Sequence, residues 1–288
     1  MRIIVGAAAL LQQRGNRATL RSRIVVSAAL AATVLGSTAA SALLPQSWNG
    51  YHWARTGPLV IGLGDNVNAA WDPYVATAVT QWNAADNIDF AQVAGRSTTS
   101  ACTPFYGGVQ VCNGNYGATG WLGYASVWTS GGFVVQATVK LNDYYFAQPK
   151  YDTVAWRAMV TCQEIGHTLG LAHTNTVRTN VNTGSCLDYT NDPTGTRGTN
   201  GTLANTQPNS VDFAALAGIY ANLDTTQLSY TKPTYFAGHG YGIGDDEFEV
   251  GFSLVPEPAT WAFMIVGFGL TGATMRRRPF LAASAVAA

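Results

Sequence analysis

Residues 163–173 read Gln163-Glu164-Ile165-Gly166-His167-Thr168-Leu169-Gly170-Leu171-Ala172-His173, and the spacing of their polar groups decides how the chain is read. Upstream, Val154, Ala158, Ile165 and Leu169 recur at helical spacing behind a capping Asp152 or Thr153, and Gly170 stops the run. The eleven residues therefore begin on a helix and leave it at a glycine. On that helix Gln163 and His167 lie one turn apart on the same face, so both reach one metal ion, while Glu164 points beside it toward a water held there. A sharp turn at Gly170 brings His173 back as a third ligand from outside the helix, which is why a glycine is needed at that point.

The pattern resembles the metzincin zinc-peptidase arrangement H-E-x-x-H-x-x-G-x-x-H at every defining position except the first, where Gln163 stands in place of histidine. A neutral carboxamide oxygen is a weaker zinc donor than imidazole, so such a site holds metal less tightly or takes an extra ligand. Downstream, Ser185-Cys186-Leu187-Asp188-Tyr189 resembles the family's S-x-M-x-Y turn, with Leu187 at the methionine position as an apolar floor. The resemblance, to the matrixin and astacin branches, covers residues 48–224 and is strongest over 151–192. It implies an α+β fold, with a twisted mixed sheet, an active-site helix and a C-terminal helix. It further implies one catalytic zinc ion held by Gln163, His167 and His173, with Glu164 as general base and then proton donor to the leaving amine. Tyr189 is the matching candidate for zinc ligation or oxyanion stabilisation. The substrate would be a polypeptide, lying extended along a sheet edge formed by residues 133–141. Structural calcium is also known in the family. A reading from a different class is a non-catalytic, surface-anchored binding or matrix protein that kept this fold after its first ligand changed.

Both ends of the chain read as targeting devices. Arg21 and Arg23 precede the apolar run Ile24 to Gly36, and Ala40-Ser41-Ala42 offers a small-residue cleavage site, the layout of a secretory signal. At the other end Thr260 to Met275 is largely apolar, a little short for a full membrane span, and is followed by Arg276, Arg277 and Arg278 on the expected cytoplasmic side. Val255-Pro256-Glu257-Pro258-Ala259-Thr260-Trp261, then Met264, Gly267-Phe268-Gly269 and the Arg triplet resemble a PEP-CTERM sorting signal. That resemblance implies a Gram-negative export substrate, held transiently in the membrane by its C-terminal segment. An exosortase would cleave it and pass it to the cell surface or extracellular matrix. The expected division is leader and signal over 1–42, catalytic domain over 43–237, linker over 238–254 and sorting segment over 255–279.

The formal net charge of zero hides an asymmetry, because the 8 basic residues from Arg55 to Lys232 face 16 acidic ones from Asp65 to Glu257. The middle of the chain is thus acidic, which argues against a nucleic-acid partner. With 47 % hydrophobic residues the chain can bury a real core, and a monomer is expected. An exported chain matures in an oxidising compartment, and its four cysteines are even in number. The sequence-local pairing is Cys102 with Cys112 and Cys162 with Cys186, one of three possible.

Periodicity predicts a strand over 51–62, a helix over 72–85, a short strand over 90–93, a polar loop over 96–120, and strands over 124–128 and 133–141. An irregular segment over 174–206 and a helix over 210–223 follow. Asp245, Asp246, Glu247 and Glu249 offer oxygens for calcium, but their spacing fits no EF-hand loop and reads as a solvated acidic face. His52 reads as a packed or hydrogen-bonded side chain, and His239 as part of the linker.

Overall fold

Runs rich in Val, Leu and Ile pair into one mixed sheet of eight strands among the described residues: β1 (His52–Trp53), β2 (Leu59–Asn66), β3 (Ile88–Ala94), β4 (Gly108–Gly114), β5 (Trp121–Ser130), β6 (Phe133–Asn142), β7 (Tyr235–Gly242) and β8 (Phe248–Ser253). The structure, a computed structural model, describes residues 46–86, 88–198, 200–224, 235–242 and 248–253. The strand order is β3-β2-β4-β6-β5-β7-β8, with the short β1 pairing β6 ahead of β4. The pairs joining β3, β2, β4 and β6 are parallel, whereas β5, β7 and β8 are added antiparallel.

Four helices accompany the described sheet. Helix α1 (Asp72–Trp82) starts with a proline in its first turn, where a missing N–H costs nothing, and buries Val75, Ala78, Val79 and Trp82. The single-turn α2 (Asp143–Phe146) follows β6 directly. Helix α3 (Val154–Thr168) is capped by Thr153, whose side chain accepts the Trp156 N–H, and packs on α1, β5, β6 and β7. Helix α4 (Ser210–Ile219) opens with a reciprocal capping box between Asn209 and Asp212. Between them lies a core that includes Trp48, Trp53, Trp71, Trp82, Leu63, Leu141 and Ile165, all 2 % exposed or less. Each such side chain contributes on the order of 1.5–3 kcal/mol of transfer free energy.

Several expectations change. The stretch expected as a loop over 96–120 contains β4, which lies in the middle of the sheet between β2 and β6. The strand over 133–141 is no edge: β6 is hydrogen-bonded to β4 on one side and β5 on the other, so its backbone has no free side for a peptide. Its polar alternation misled because Thr138, on the apparently polar face, is itself 1 % exposed. The strand expected over 51–62 is broken into β1 and β2. The expected linker over 238–254 instead supplies most of β7 and all of β8. Both disulfides form as paired in the sequence reading, Cys102 with Cys112 and Cys162 with Cys186. The architecture is a mixed α/β one. No described helix is long and apolar enough to cross a membrane. The signal over 1–42 and the sorting segment over 255–279 lie outside the described residues, as do Asp245, Asp246 and Glu247.

Candidate metal centre

Helix α3 buries its final turns completely, with Gln163, Glu164 and His167 each 0 % exposed. The chain leaves the helix at Gly170, whose φ of +89° is left-handed and where a Cβ would lie 1.9 Å from the Tyr51 carbonyl oxygen. The bend is then tied back to the helix, because His167 Nδ1–H donates to the Leu171 carbonyl at 2.7 Å. This returns His173 to the helix face: its Nε2 lies 3.1 Å from His167 Nε2 and 3.0 Å from the amide nitrogen of Gln163. The three side chains singled out by their spacing therefore converge.

A fourth joins them from the far end of the chain. His239, on β7, is 1 % exposed, with its ring centroid 4.3 Å from that of His167 and 4.2 Å from that of His173. One nitrogen from each of the three rings lies within 4.8 Å of the others. Sequence reasoning missed His239 because the surrounding glycines suggested a linker. The signal that could have found it is the alternation of Tyr235, Ala237, His239 and Tyr241 with Phe236, Gly238 and Gly240, a strand pattern with one face nearly bare.

The donor chemistry fits a metal ion that imidazole binds. The bond to Leu171 places the proton of a neutral His167 on Nδ1 and leaves the Nε2 lone pair facing the cluster. Burial, reinforced by the neighbouring His239 and His173, holds the His167 pKa well below the usual histidine value, so the ring is neutral. Opposite it, His173 Nε2 lies 3.1 Å from His167 Nε2, close enough for both nitrogens to reach one ion. The Gln163 carboxamide oxygen is a further buried donor atom with no hydrogen-bond partner.

Glu164 sits on the same helix, between Gln163 and His167. Gly123 on β5 makes room for it, since a Cβ there would lie 2.6 Å from Glu164 Cγ. Its Oε1 accepts the backbone N–H of Tyr241 at 3.2 Å, while Oε2 is buried without a hydrogen-bond partner. Burial pushes its pKa well above the usual carboxylate range, and the backbone donors of Tyr241 and Ala125 only partly oppose this. Tyr189 is fully buried with its ring 4.2 Å from that of His173. Leu187 lies against α3, its Cδ2 3.3 Å from where a Gly166 Cβ would stand. His52 is hydrogen-bonded to Gly50 and Asp224, apart from the cluster.

The sheet leaves little open edge beside the cluster. The edge of β5 turned away from β6 is taken by β7, from Trp121 against Gly242 to Thr129 against Tyr235. A cavity of about 490 Å³ lies elsewhere, lined by Lys150, Thr153, Trp156, Asp192 and Arg197 among others, with no cluster residue in its wall.

Comparison with known proteins bears mainly on the C-terminus. Residues 254–278 match the PEP-CTERM protein-sorting motif, which implies export, C-terminal anchoring and recognition by exosortase-type machinery in a Gram-negative bacterium. No curated protein matches the chain. Among solved structures, one described as "Structure of myroilysin" aligns over 61 % of this chain and 98 % of its own, at 11 % identity and a TM-score of 0.37, a likeness too distant to carry an argument.

Proposed function

We propose that the chain is an exported, zinc-dependent endopeptidase of the metzincin type, acting on extracellular or matrix protein. The observation that carries the reading is a buried carboxylate, Glu164, whose Oε2 has no hydrogen-bond partner and which lies within one helical turn of His167, on which His173 converges from the bend. His167 and His173 would hold the ion, with Gln163 as the third donor singled out by the spacing. When bound, zinc would supply Lewis acidity toward a peptide carbonyl and lower the pKa of a water.

The chain's own groups do the rest. Glu164 takes a proton from the attacking water at Oε2 and returns it to the leaving amine, a transfer favoured by its raised pKa. The Leu171 carbonyl keeps the His167 proton on Nδ1, away from the ion. Tyr189, packed on His173, fixes that ring and is the candidate for stabilising the developing oxyanion.

A second reading, a non-catalytic metal-binding surface protein, is favoured by the complete burial of Gln163, Glu164 and His167 and by β7 occupying the edge of β5. The two are separated by purifying the full chain, measuring bound zinc, and following cleavage of an unstructured protein such as casein. The enzyme reading expects about one zinc per chain and cleavage that drops by on the order of 100-fold or more in Glu164→Gln while zinc content stays constant. Stoichiometric zinc with no cleavage would leave only the second reading.

A further inference from the structure

We infer that His239 is the third imidazole ligand of the metal site, which makes the C-terminal hairpin of β7 and β8 part of the metal centre. The inference rests on the metal-binding half of the proposed function and is independent of catalysis.

Three observations support it. The first is convergence: ring nitrogens of His167, His173 and His239 are mutually within 4.8 Å. The second is that β7 is seated firmly enough to act as a ligand platform. His239 pairs with Ala125 in the middle of an antiparallel ladder, not at a frayed end. Two residues on, Tyr241 is fully buried, its N–H donating to Glu164 and its hydroxyl to the Thr190 carbonyl at 2.6 Å. The Arg178 guanidinium lies over both the Tyr189 ring, at 4.8 Å, and the Tyr241 ring, at 4.6 Å, and donates to the Gly242 carbonyl. These contacts tie β7 to the loop that carries Tyr189 and to the helix that carries His167.

The third observation is chemical. Helix α3 and its bend provide two imidazoles and one carboxamide, and a neutral carboxamide binds zinc more weakly than imidazole does. His239 completes a three-imidazole set that the helix alone lacks. Gln163 then acts as a positioning residue, its side-chain amide lying 3.0 Å from His173 Nε2 and restricting how that ring turns, a supporting role whose loss typically weakens metal binding by about 10-fold to 100-fold.

The test uses the full chain, stripped of metal and titrated with Zn²⁺ against a competing chromophoric chelator, alongside Co²⁺ titrations read by visible absorption. His239→Ala is expected to weaken zinc by more than about 100-fold and to change the cobalt spectrum, whereas Gln163→Ala stays closer to wild type. His239→Cys guards against a folding artefact, because a thiolate in the ligand position restores tight binding and adds a sulfur-to-cobalt charge-transfer band. Far-UV circular dichroism of each metal-free variant checks the fold. A His239→Ala chain that binds zinc as wild type does, or a folded His239→Cys chain that binds cobalt without the band, overturns the inference and leaves the metal reading standing. A wild-type chain that takes up neither metal overturns both, leaving the three rings as a hydrogen-bonded cluster.

Discussion

Helix α3 reaches the histidine cluster behind a wall of Met159, Val160, Ile165 and Leu169, each 1 % exposed or less, whereas residues 174–209 approach it with almost no such wall. In that segment the buried side chains are mostly polar: Asn182, Ser185, Asp188, Thr190, Asp192, Asn200 and Asn205 are all 2 % exposed or less. They bond to one another and to the backbone. Asn182 donates to the Asp192 and Leu203 carbonyls, Asn200 to the Arg178 and Asn180 carbonyls, and Asp188 accepts from Asn180, Thr183 and Asn205. The helix side is thus held by non-directional burial, and the loop side by hydrogen bonds with fixed geometry. The first tolerates volume-conserving change, and the second tolerates almost none, because every lost partner strands a buried polar group.

The largest effect should come from the apolar side. Trp82 is 1 % exposed, packs against α3 where Gly166 has no side chain, and donates its indole N–H to the Cys162 carbonyl at 2.9 Å. Trp82→Ala should cost about 3–5 kcal/mol in urea unfolding, and a loss below about 1 kcal/mol would mean the helix side is not held by burial. Next comes the covalent link between the regions, Cys162 on α3 to Cys186 in the loop, with a sequence separation of 24. Replacing both cysteines by serine should cost about 3 kcal/mol by release of loop-closure entropy. Hydrogen exchange should then rise in 174–209 more than in α3.

A smaller and more local loss is expected at Asn205, which is fully buried, donates to Asp188 and accepts the Gly184 N–H at 2.9 Å. Asn205→Ala should cost about 1–3 kcal/mol by stranding those partners. Asn205→Leu, of similar size and apolar, should be no better. If leucine restored stability, volume rather than hydrogen bonding would hold the loop, and the contrast between the regions would fail.

That contrast explains what the sequence made legible. Helix α3, its Thr153 cap and the turn at Gly170 follow from local rules acting within a few residues, and the convergence of Gln163, His167 and His173 follows from helical spacing together with that turn. The loop's path did not follow, because Asn and Asp side chains choose partners as far off as Asp188 from Asn205, and no periodicity encodes such pairings. Strand β7 was hidden for a third reason. Its Gly238 and Gly240 carry the composition of a flexible tether, and their strand character comes from pairing with β5, more than a hundred residues earlier. The ligand on it was invisible for the same reason.

The finest probe of the polar side is Asp212, which joins the loop to α4. It is fully buried and accepts from Ser185 Oγ at 2.8 Å, from Gln46 at 3.0 Å and from the Asn209 N–H at 2.7 Å. Burial outweighs these donors and raises its pKa above the ordinary 3.8. A carboxyl group whose folded pKa is raised takes up a proton on folding, so its contribution is most favourable below the unfolded pKa and declines as pH rises through the folded one. Wild-type stability should therefore carry a downward slope above pH of about 4 that Asp212→Asn, which cannot ionise, lacks. Urea midpoints of the two chains measured across that range would converge at low pH and separate as pH rises. A wild type that instead gains on the variant with rising pH would show that the hydrogen bonds, not the burial, set the balance at this junction.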